Sequence, residues 1–345
     1  MPTPFTIVVT TISVPTVAMG NLASGLSRAG GTLVVVGDAK GPESYPLPNT
    51  KFFPLSVQNQ QPWQLARLLP TAHYTRKNLG YLFALQDKPD FVVETDDDNA
   101  PLPAFWNQRI PDQQAKRLTK SGWVNVYKLF TDKMIWPRGF PLENLKADSL
   151  SSSISETAYD SLESCHALIQ QGLANGDPDV DAVYRLTHPL PFTFRDAPSV
   201  FLDKGVWCPF NSQNTTFFKS AFPLLYLPSF CTFRMTDIWR SFIAQRCLWE
   251  MDSGVLFTGP SVFQDRNEHL LLRDFEQEIP GYLGNARMAE MLLGLKLGAG
   301  RNFRVISQNL LICYEMLIRK GFFPTKELSL VEAWLADLKL IKMAE

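Results

Sequence analysis

The chain has 345 residues, of which 45% are hydrophobic, 12% aromatic and 19% charged, with a formal net charge of -1. That is long enough for one large or two modest domains and too apolar for a chain that stays unfolded. The near-neutral balance exerts no long-range pull on polyanions, which argues against a general nucleic-acid or acidic-membrane binder.

Residues 5–12, Phe-Thr-Ile-Val-Val-Thr-Thr-Ile, are apolar and β-branched; helical spacing follows over 17–28, and Gly30-Gly31 precedes the apolar run 32–36. This is a βαβ opening. Strands that are continuous apolar runs belong to a sheet covered on both faces, so the expected class is α/β, a mostly parallel central sheet flanked by helices. The apolar stretch within 1–22 has no basic leader and is cut by Pro15, and the run 217–233 is broken by Lys219, Pro223 and Pro228. No transmembrane segment is therefore expected. The five cysteines, Cys165, Cys208, Cys231, Cys247 and Cys313, form no C-x-x-C pair. They fit reduced thiols in a cytoplasmic protein better than a disulfide framework or a structural zinc.

A Pro-rich connection over 41–54 leads to helical patterns at 63–69 and 74–86. The apolar strand Phe91-Val92-Val93 then ends directly in Glu94-Thr95-Asp96-Asp97-Asp98. Residues 101–144 are rich in Trp and Pro, and the serines of 149–153 suit a loop. Helices are expected over 154–173, 236–249, 286–297 and 326–343, and the last is amphipathic and Leu-rich enough to offer a face to a second subunit in a homo-oligomer.

Carboxylates at the carboxyl edge of a sheet lie where open α/β folds bind ligands. Three consecutive aspartates raise one another's pKa unless a cation or hydrogen bonds offset the repulsion. Oxygen-only ligation suits Mg2+ or Mn2+, held by one or two carboxylates together with substrate phosphates. A solvated turn before Pro101 accounts for the same residues. The glycine and glutamate of an EF-hand loop are missing, as are G-x-x-x-x-G-K-[ST] and a G-x-G-x-x-G after a strand.

Four segments carry a family resemblance: Tyr74-Thr-Arg-Lys-Asn-Leu-Gly-Tyr-Leu-Phe-Ala84, the strand and acidic run ending at Asp98, Trp136-Pro-Arg-Gly-Phe-Pro-Leu-Glu-Asn144, and Gly176-Asp-Pro-Asp-Val-Asp-Ala182. Together they resemble the plant STELLO-type glycosyltransferases and, more distantly, the reversibly glycosylated polypeptides that act as UDP-arabinopyranose mutases. The likeness runs from about residue 6 to about residue 266, with the Trp-Pro-Arg-Gly string its most specific part. It implies a GT-A fold in which aspartates of the acidic motif, here Asp96, Asp97 and Asp98, hold a divalent metal and the nucleotide ribose. Unlike the plant proteins, this chain shows no membrane anchor ahead of the domain, so Golgi residence does not carry over.

The same resemblance sets Thr10, Thr11, Ile12 and Asp38 around the nucleotide, although the Gly37-Asp38 segment is also a plain turn. Arg76 and Lys77 suit a diphosphate, one as a planar fork and the other as a point charge, or else a solvated helix end. Arg138 corresponds to the arginine that carries sugar in the mutases; a structural salt bridge explains it equally. Asp179 and Asp181 share a face in an extended segment, which in the relatives lines the donor. Asn211 opens a run of amides and hydroxyls suited either to sugar hydroxyls or to a capped turn. Asp237 heads a helix, as a cap or first-turn acid, and in GT-A enzymes an acid there faces the acceptor and acts as base in inverting members. Where many GT-A enzymes supply a metal-binding histidine this chain has Gln264, with His269 a few positions on.

The expected protein is thus a metal-dependent glycosyltransferase of polysaccharide biosynthesis, using a nucleotide sugar, UDP-linked in preference, and a glycan or other hydroxyl acceptor. Residues 1–285 would form the GT-A domain, with a nucleotide half to about 145 and an acceptor half beyond, followed by a helical extension over 286–345. The rivals are a nucleotide-sugar mutase or self-glycosylating protein, a nucleotidyltransferase, disfavoured because Thr11-Ile-Ser-Val-Pro15 is not a glycine-rich phosphate loop, and a non-catalytic partner of a glycan-synthesis complex.

Overall fold

The computed structural model describes residues 4–145, 161–265 and 270–341. Strand β1 (Phe5–Thr10), helix α1 (Val17–Ala29) and strand β2 (Thr32–Val36) form the expected βαβ unit, with β1 and β2 parallel. Thr16 caps α1 by accepting a hydrogen bond from the Met19 N–H, and Gly30 closes it in the left-handed region at φ 78°, which glycine adopts without steric cost. Strand β3 (Thr50–Phe53) extends the sheet beyond β2. Helices α2 (Leu55–Gln58), α3 (Gln64–Leu68) and α4 (Lys77–Leu85) follow. The chain then returns to the opposite flank of β1 as β4 (Phe91–Thr95), parallel to it. That reversal makes the carboxyl ends of β1 and β4 a topological switch point, where the connections diverge and leave a crevice.

The second half supplies β5 (Asn99–Pro101), β6 (Asp112–Leu118), β7 (Gly122–Trp123), β8 (Glu163–His166) and β9 (Ile169–Gly176). After α5 (Ala182–Thr187) come β10 (Val200–Leu202), β11 (Val206–Trp207), β12 (Asn214–Phe218), α6 (Thr236–Leu248) and β13 (Val255–Gln264). The main sheet has the order β3-β2-β1-β4-β12-β9-β13-β10-β6-β8, with β5 paired to β13. Strands β3, β2, β1, β4, β9, β13 and β8 run one way and β12, β10, β6 and β5 run against them. The mostly parallel sheet is as expected, and β12 lies antiparallel between β4 and β9 so that its amino end meets the acidic run.

The helix expected over 154–173 is corrected. Residues 154–160 lie outside the described part, and the remainder forms β8 and β9. β9 sits between β12 and β13 and is buried along most of its length; a strand covered on both faces loses the alternation that would have separated it from a helix.

Helices α7 (Leu271–Leu293), α8 (Phe303–Arg319) and α9 (Lys326–Leu340) complete the chain. The division expected after residue 285 falls inside α7, and the last helices belong to the same hydrophobic core as the first strands. Asp337 of α9 accepts hydrogen bonds from the Gln64 and Leu65 N–H groups, both at 2.9 Å, and so holds the start of α3. Trp334 donates to the Pro223 carbonyl at 2.9 Å. The apolar face of α9 is thereby covered by its own chain rather than presented to a second subunit. No helix among the described residues is long and apolar enough to cross a membrane.

Candidate functional site

A cavity of about 540 Å³ opens over the carboxyl ends of β1 and β4, walled by the β1–α1 turn, the loop after β2, the acidic run, Arg138, Asp179, the amino end of β12 and the start of α6. Thr10, Thr11, Ile12, Asp38, Asp96, Asp97, Asp98, Arg138, Asp179, Asp237 and Gln264 all line it. Residues separated by more than two hundred positions thus meet at one switch point.

The acidic run is held from behind. Lys77 is fully buried; its ammonium donates to the Thr95 carbonyl and the Tyr74 hydroxyl, both at 2.8 Å, and lies 3.3 Å from Asp96. Burial pushes the Asp96 carboxyl above the usual range, Lys77 pulls against that and Asp97 adds to it. Its side chain is still 30% exposed and reaches the cavity. Asp97 accepts a hydrogen bond from the Thr11 hydroxyl, and its carbonyl accepts one from Thr16, which ties the β1–α1 turn to the acids. Asp98 accepts from the Gln264 amide at 3.0 and 3.1 Å, while the amide oxygen of Gln264 accepts from Gln213.

The opposite wall centres on Arg138, which is 5% exposed. Its guanidinium donates to both oxygens of Asp179, at 2.8 and 2.9 Å, to both oxygens of Asp237, at 3.0 and 2.9 Å, and to the Arg234 carbonyl. Every N–H direction of the fork is used, which is how a buried guanidinium between two carboxylates is satisfied. Burial alone would lower its pKa, but Asp179 and Asp237 raise it well above the ordinary arginine value. Burial pushes Asp237 up, and the Arg138 charge and hydrogen bonds outweigh it, holding this carboxyl at about 2. Ser212 adds donors from its N–H at 3.1 Å and its hydroxyl at 3.2 Å.

Four sequence expectations change. Arg76 is fully buried and does not reach the cavity: it donates to Gln58 at 2.9 Å and points toward Asn59 and the Leu69 carbonyl, so it braces α2 and α3. Lys77 touches the cavity only through Asp96 and Tyr74 and is not available to a diphosphate as a separate group. Asp181 turns away as the N-cap of α5, accepting from the Tyr184 N–H at 2.8 Å and the Trp136 indole at 2.6 Å; burial pushes it up to about 6. The chain turns into α5 at Asp181, so its side chain and that of Asp179 no longer share a face. Asn211 lies beneath the cavity, accepting from the Gln213 N–H at 3.0 Å, and it is Ser212 and Gln213 that face inward. Asp38 lines the cavity while its carboxylate accepts from the Ala39, Ala72 and His73 N–H groups, at 2.7, 2.9 and 2.9 Å, and shapes that loop. His269 lies outside the described residues.

Sequence reasoning missed Lys40, Tyr74, Phe233 and Arg234 in the lining. Tyr74 joins Asp96 to Ser212, at 3.2 and 2.6 Å, and Phe233, half exposed, stands edge-on to its ring. Arg234 donates to Glu278 at 2.8 Å. Lys40 is exposed and has no hydrogen bond or ion pair among the described residues.

Among the described residues, six lining carboxylates, those of Asp38, Asp96, Asp97, Asp98, Asp179 and Asp237, thus face three lining cations, Lys40, Arg138 and Arg234. No group of three or more His, Cys, Asp or Glu among the described residues is placed to hold a metal ion. Asp96 and Asp98 nevertheless fit the mode in which one or two carboxylates and substrate phosphates share a Mg2+ or Mn2+. Burial raises the Asp96 pKa and the Asp97 charge adds to it, and a cation held there would offset both. As placed, Gln264 turns its amide nitrogen to Asp98, so it would contribute an oxygen only after its amide rotates.

Residues 234–344 match the family model of the STELLO glycosyltransferases. The chain is 28% identical over 331 residues to the probable glycosyltransferase STELLO2 of Arabidopsis thaliana, covering 90% of this chain and 42% of that protein. Against the probable glycosyltransferase STELLO1 of the same plant it is 28% identical over 351 residues, covering 96% and 44%. The chain therefore spans less than half the length of these relatives, and the resemblance carried by its motif strings extends along nearly all of it. Among solved structures, glucosyl-3-phosphoglycerate synthase from Mycobacterium tuberculosis in complex with Mn2+, UDP and glucosyl-3-phosphoglycerate is similar at a TM-score of 0.38 and 12% identity, covering 84% of this chain and 78% of that one. The same enzyme with Mg2+ and UDP gives 0.37 and 11%, with the same coverage.

Proposed function

We propose that this chain is a glycosyltransferase that moves a sugar from a nucleoside diphosphate sugar, UDP-linked in preference, to a glycan or other hydroxyl acceptor with the help of Mn2+ or Mg2+. The observation that carries the proposal is the excess of carboxylates over cations, among the described residues, around a cavity at the β1/β4 switch point. An anionic diphosphate enters such a site only with added positive charge, and Asp96 and Asp98 are the oxygen donors placed to hold it. A divalent cation bound there supplies charge next to the diphosphate as it leaves. Thr10, Thr11, Ile12 and the loop shaped by Asp38 form the nucleoside end. Lys40, the lining cation with no hydrogen-bond or ion-pair partner among the described residues, is the residue for the diphosphate in place of Arg76 and Lys77.

On the far wall Asp179, Arg138 and Asp237 form a fixed anion–cation–anion unit facing the sugar. A carboxylate held at about 2 is a weak base, so Asp237 acts by fixing Arg138 and offering a negative edge rather than by taking the acceptor's proton. The self-glycosylating alternative requires Arg138 as a nucleophile. A guanidinium whose donors are all engaged and whose pKa is raised does not serve as one, which counts against that reading.

The test is a thermal-shift panel of nucleotide sugars with and without Mn2+. A ligand that binds only the folded chain raises its unfolding temperature by mass action. At least one UDP-sugar should do so, and only with the metal; a panel with no shift would overturn the proposal in favour of a non-catalytic partner.

A further inference from the structure

Helix α7 has two unlike faces. Inward, the Glu278 carboxylate accepts from Arg234 at 2.8 Å and from the Ala182 N–H at 2.7 Å. Outward, Leu272, Ile279 and Leu283 are 75%, 39% and 81% exposed. Steps of three and four residues align Leu272, Glu276, Ile279, Leu283, Arg287 and Glu290 along one line of the helix. Neither Glu276 nor Glu290 has a hydrogen-bond or ion-pair partner among the described residues, and Arg287 only lies over the Phe322 ring, 4.9 Å from its centre.

We propose that this face is a two-fold interface between two copies of this chain, with α7 packed antiparallel on α7. The charge order selects that partner. With the axis between Gly281 and Tyr282, Glu276 of each copy faces Arg287 of the other, and the same register sets Arg273 against Glu290. Ile279 and Leu283 then interlock at the centre. Parallel packing would instead oppose Glu276 to Glu276 and Arg287 to Arg287, which is unfavourable. Self-complementarity of one patch under a two-fold axis is the hallmark of an isologous dimer, and a dry apolar centre between two pairs of opposite charges is the arrangement such interfaces use. The interface lies on the outer face of α7 and stands independently of the function proposed for the cavity.

Sedimentation equilibrium of the full chain tests it. The expected result is a two-chain species at micromolar concentration. Leu283→Asp should raise the dissociation constant about 30-fold or more, the scale of losing an anchor at the centre of an interface, with an unchanged unfolding midpoint at dilutions where both proteins are single chains, because the residue is 81% exposed. Glu276→Arg and Arg287→Glu should each weaken the dimer, and the two together should restore it, since those positions meet only across the axis. A single-chain species for the unmodified protein would overturn the proposal. So would a dimer indifferent to Leu283→Asp, or a double variant no tighter than the single ones.

Discussion

Arg138 is the residue on which the far wall turns. Its two carboxylate partners are buried with it, so each charge is stable only while the others stay in place. Asp237 is held at about 2 against an ordinary value of 3.8. Because the folded-state value is the lower one, the stability this adds is complete above about pH 4 and is lost as pH falls through about 2. Asp237→Asn should therefore cost on the order of 2 kcal/mol near neutrality. It should also flatten the fall in stability between about pH 4 and pH 2, as read from urea unfolding across that range.

Lys40 and Arg76 make a contrasting pair of predictions. Lys40 is exposed and has no partner among the described residues, so Lys40→Ala should leave the unfolding midpoint unchanged and weaken UDP binding about tenfold, the scale of one charge-assisted hydrogen bond. Arg76 is fully buried and bonded to Gln58; Arg76→Ala should lower the midpoint while the affinity of the remaining folded protein stays within a few-fold of the original. Calorimetry on both variants, with melting curves, distinguishes them. The sequence made Arg76 the better phosphate ligand because residue type is visible in it and the direction of a side chain is not. Asp96, Asp97 and Asp98 were legible as the acidic end of an apolar strand, whereas Asp38, Asp179 and Asp237 were placed by the family resemblance, Asp179 after a segment read as a helix. Lys40 follows a strand in the same way and was readable by that signal.

Among the elements, α1 positions the end of the cavity proposed for the nucleoside, through Thr16 on the Asp97 carbonyl and through its packing on the segment after β5. A Cβ at Gly25 would come within 1.9 Å of the Trp106 ring. Gly25→Ala, which in an exposed helix would stabilise by about 1 kcal/mol, should here destabilise by about 1 to 3 kcal/mol through overpacking. A higher unfolding midpoint for this variant would contradict the packing described. The βαβ opening, α4 and β4 were legible because continuous apolar runs and clear 3.6-residue spacing survive burial. β9 was not, since burial on both faces removes the period that tells strand from helix, and α7 was expected only from residue 286 although the helix begins at Leu271 and continues through Pro280 and Gly281.

At the scale of the whole molecule, the last three helices are part of the core rather than an appendage: Glu327 accepts from the Ser229 and Phe230 N–H groups, Asp337 holds α3, and Glu278 braces Arg234 in the cavity wall. Removing them would leave the cavity without one of its supports. The sequence pattern placed α9 and the end of α7 but not α8, nor the buried acids that tie these helices to distant loops, because those contacts join positions tens to hundreds of residues apart.

The proposed function rests on a cavity whose described carboxylates outnumber its cations, so that a nucleotide is proposed to enter together with a cation. The direct measurement is isothermal calorimetry of UDP into the full chain, in Mn2+ and then in chelator, repeated with Asp98→Asn. Binding in Mn2+ that weakens at least about tenfold in chelator, and an Asp98→Asn variant that has lost most of this metal effect, is the predicted result. Equal affinity in metal and chelator, or no heat in either, would contradict it.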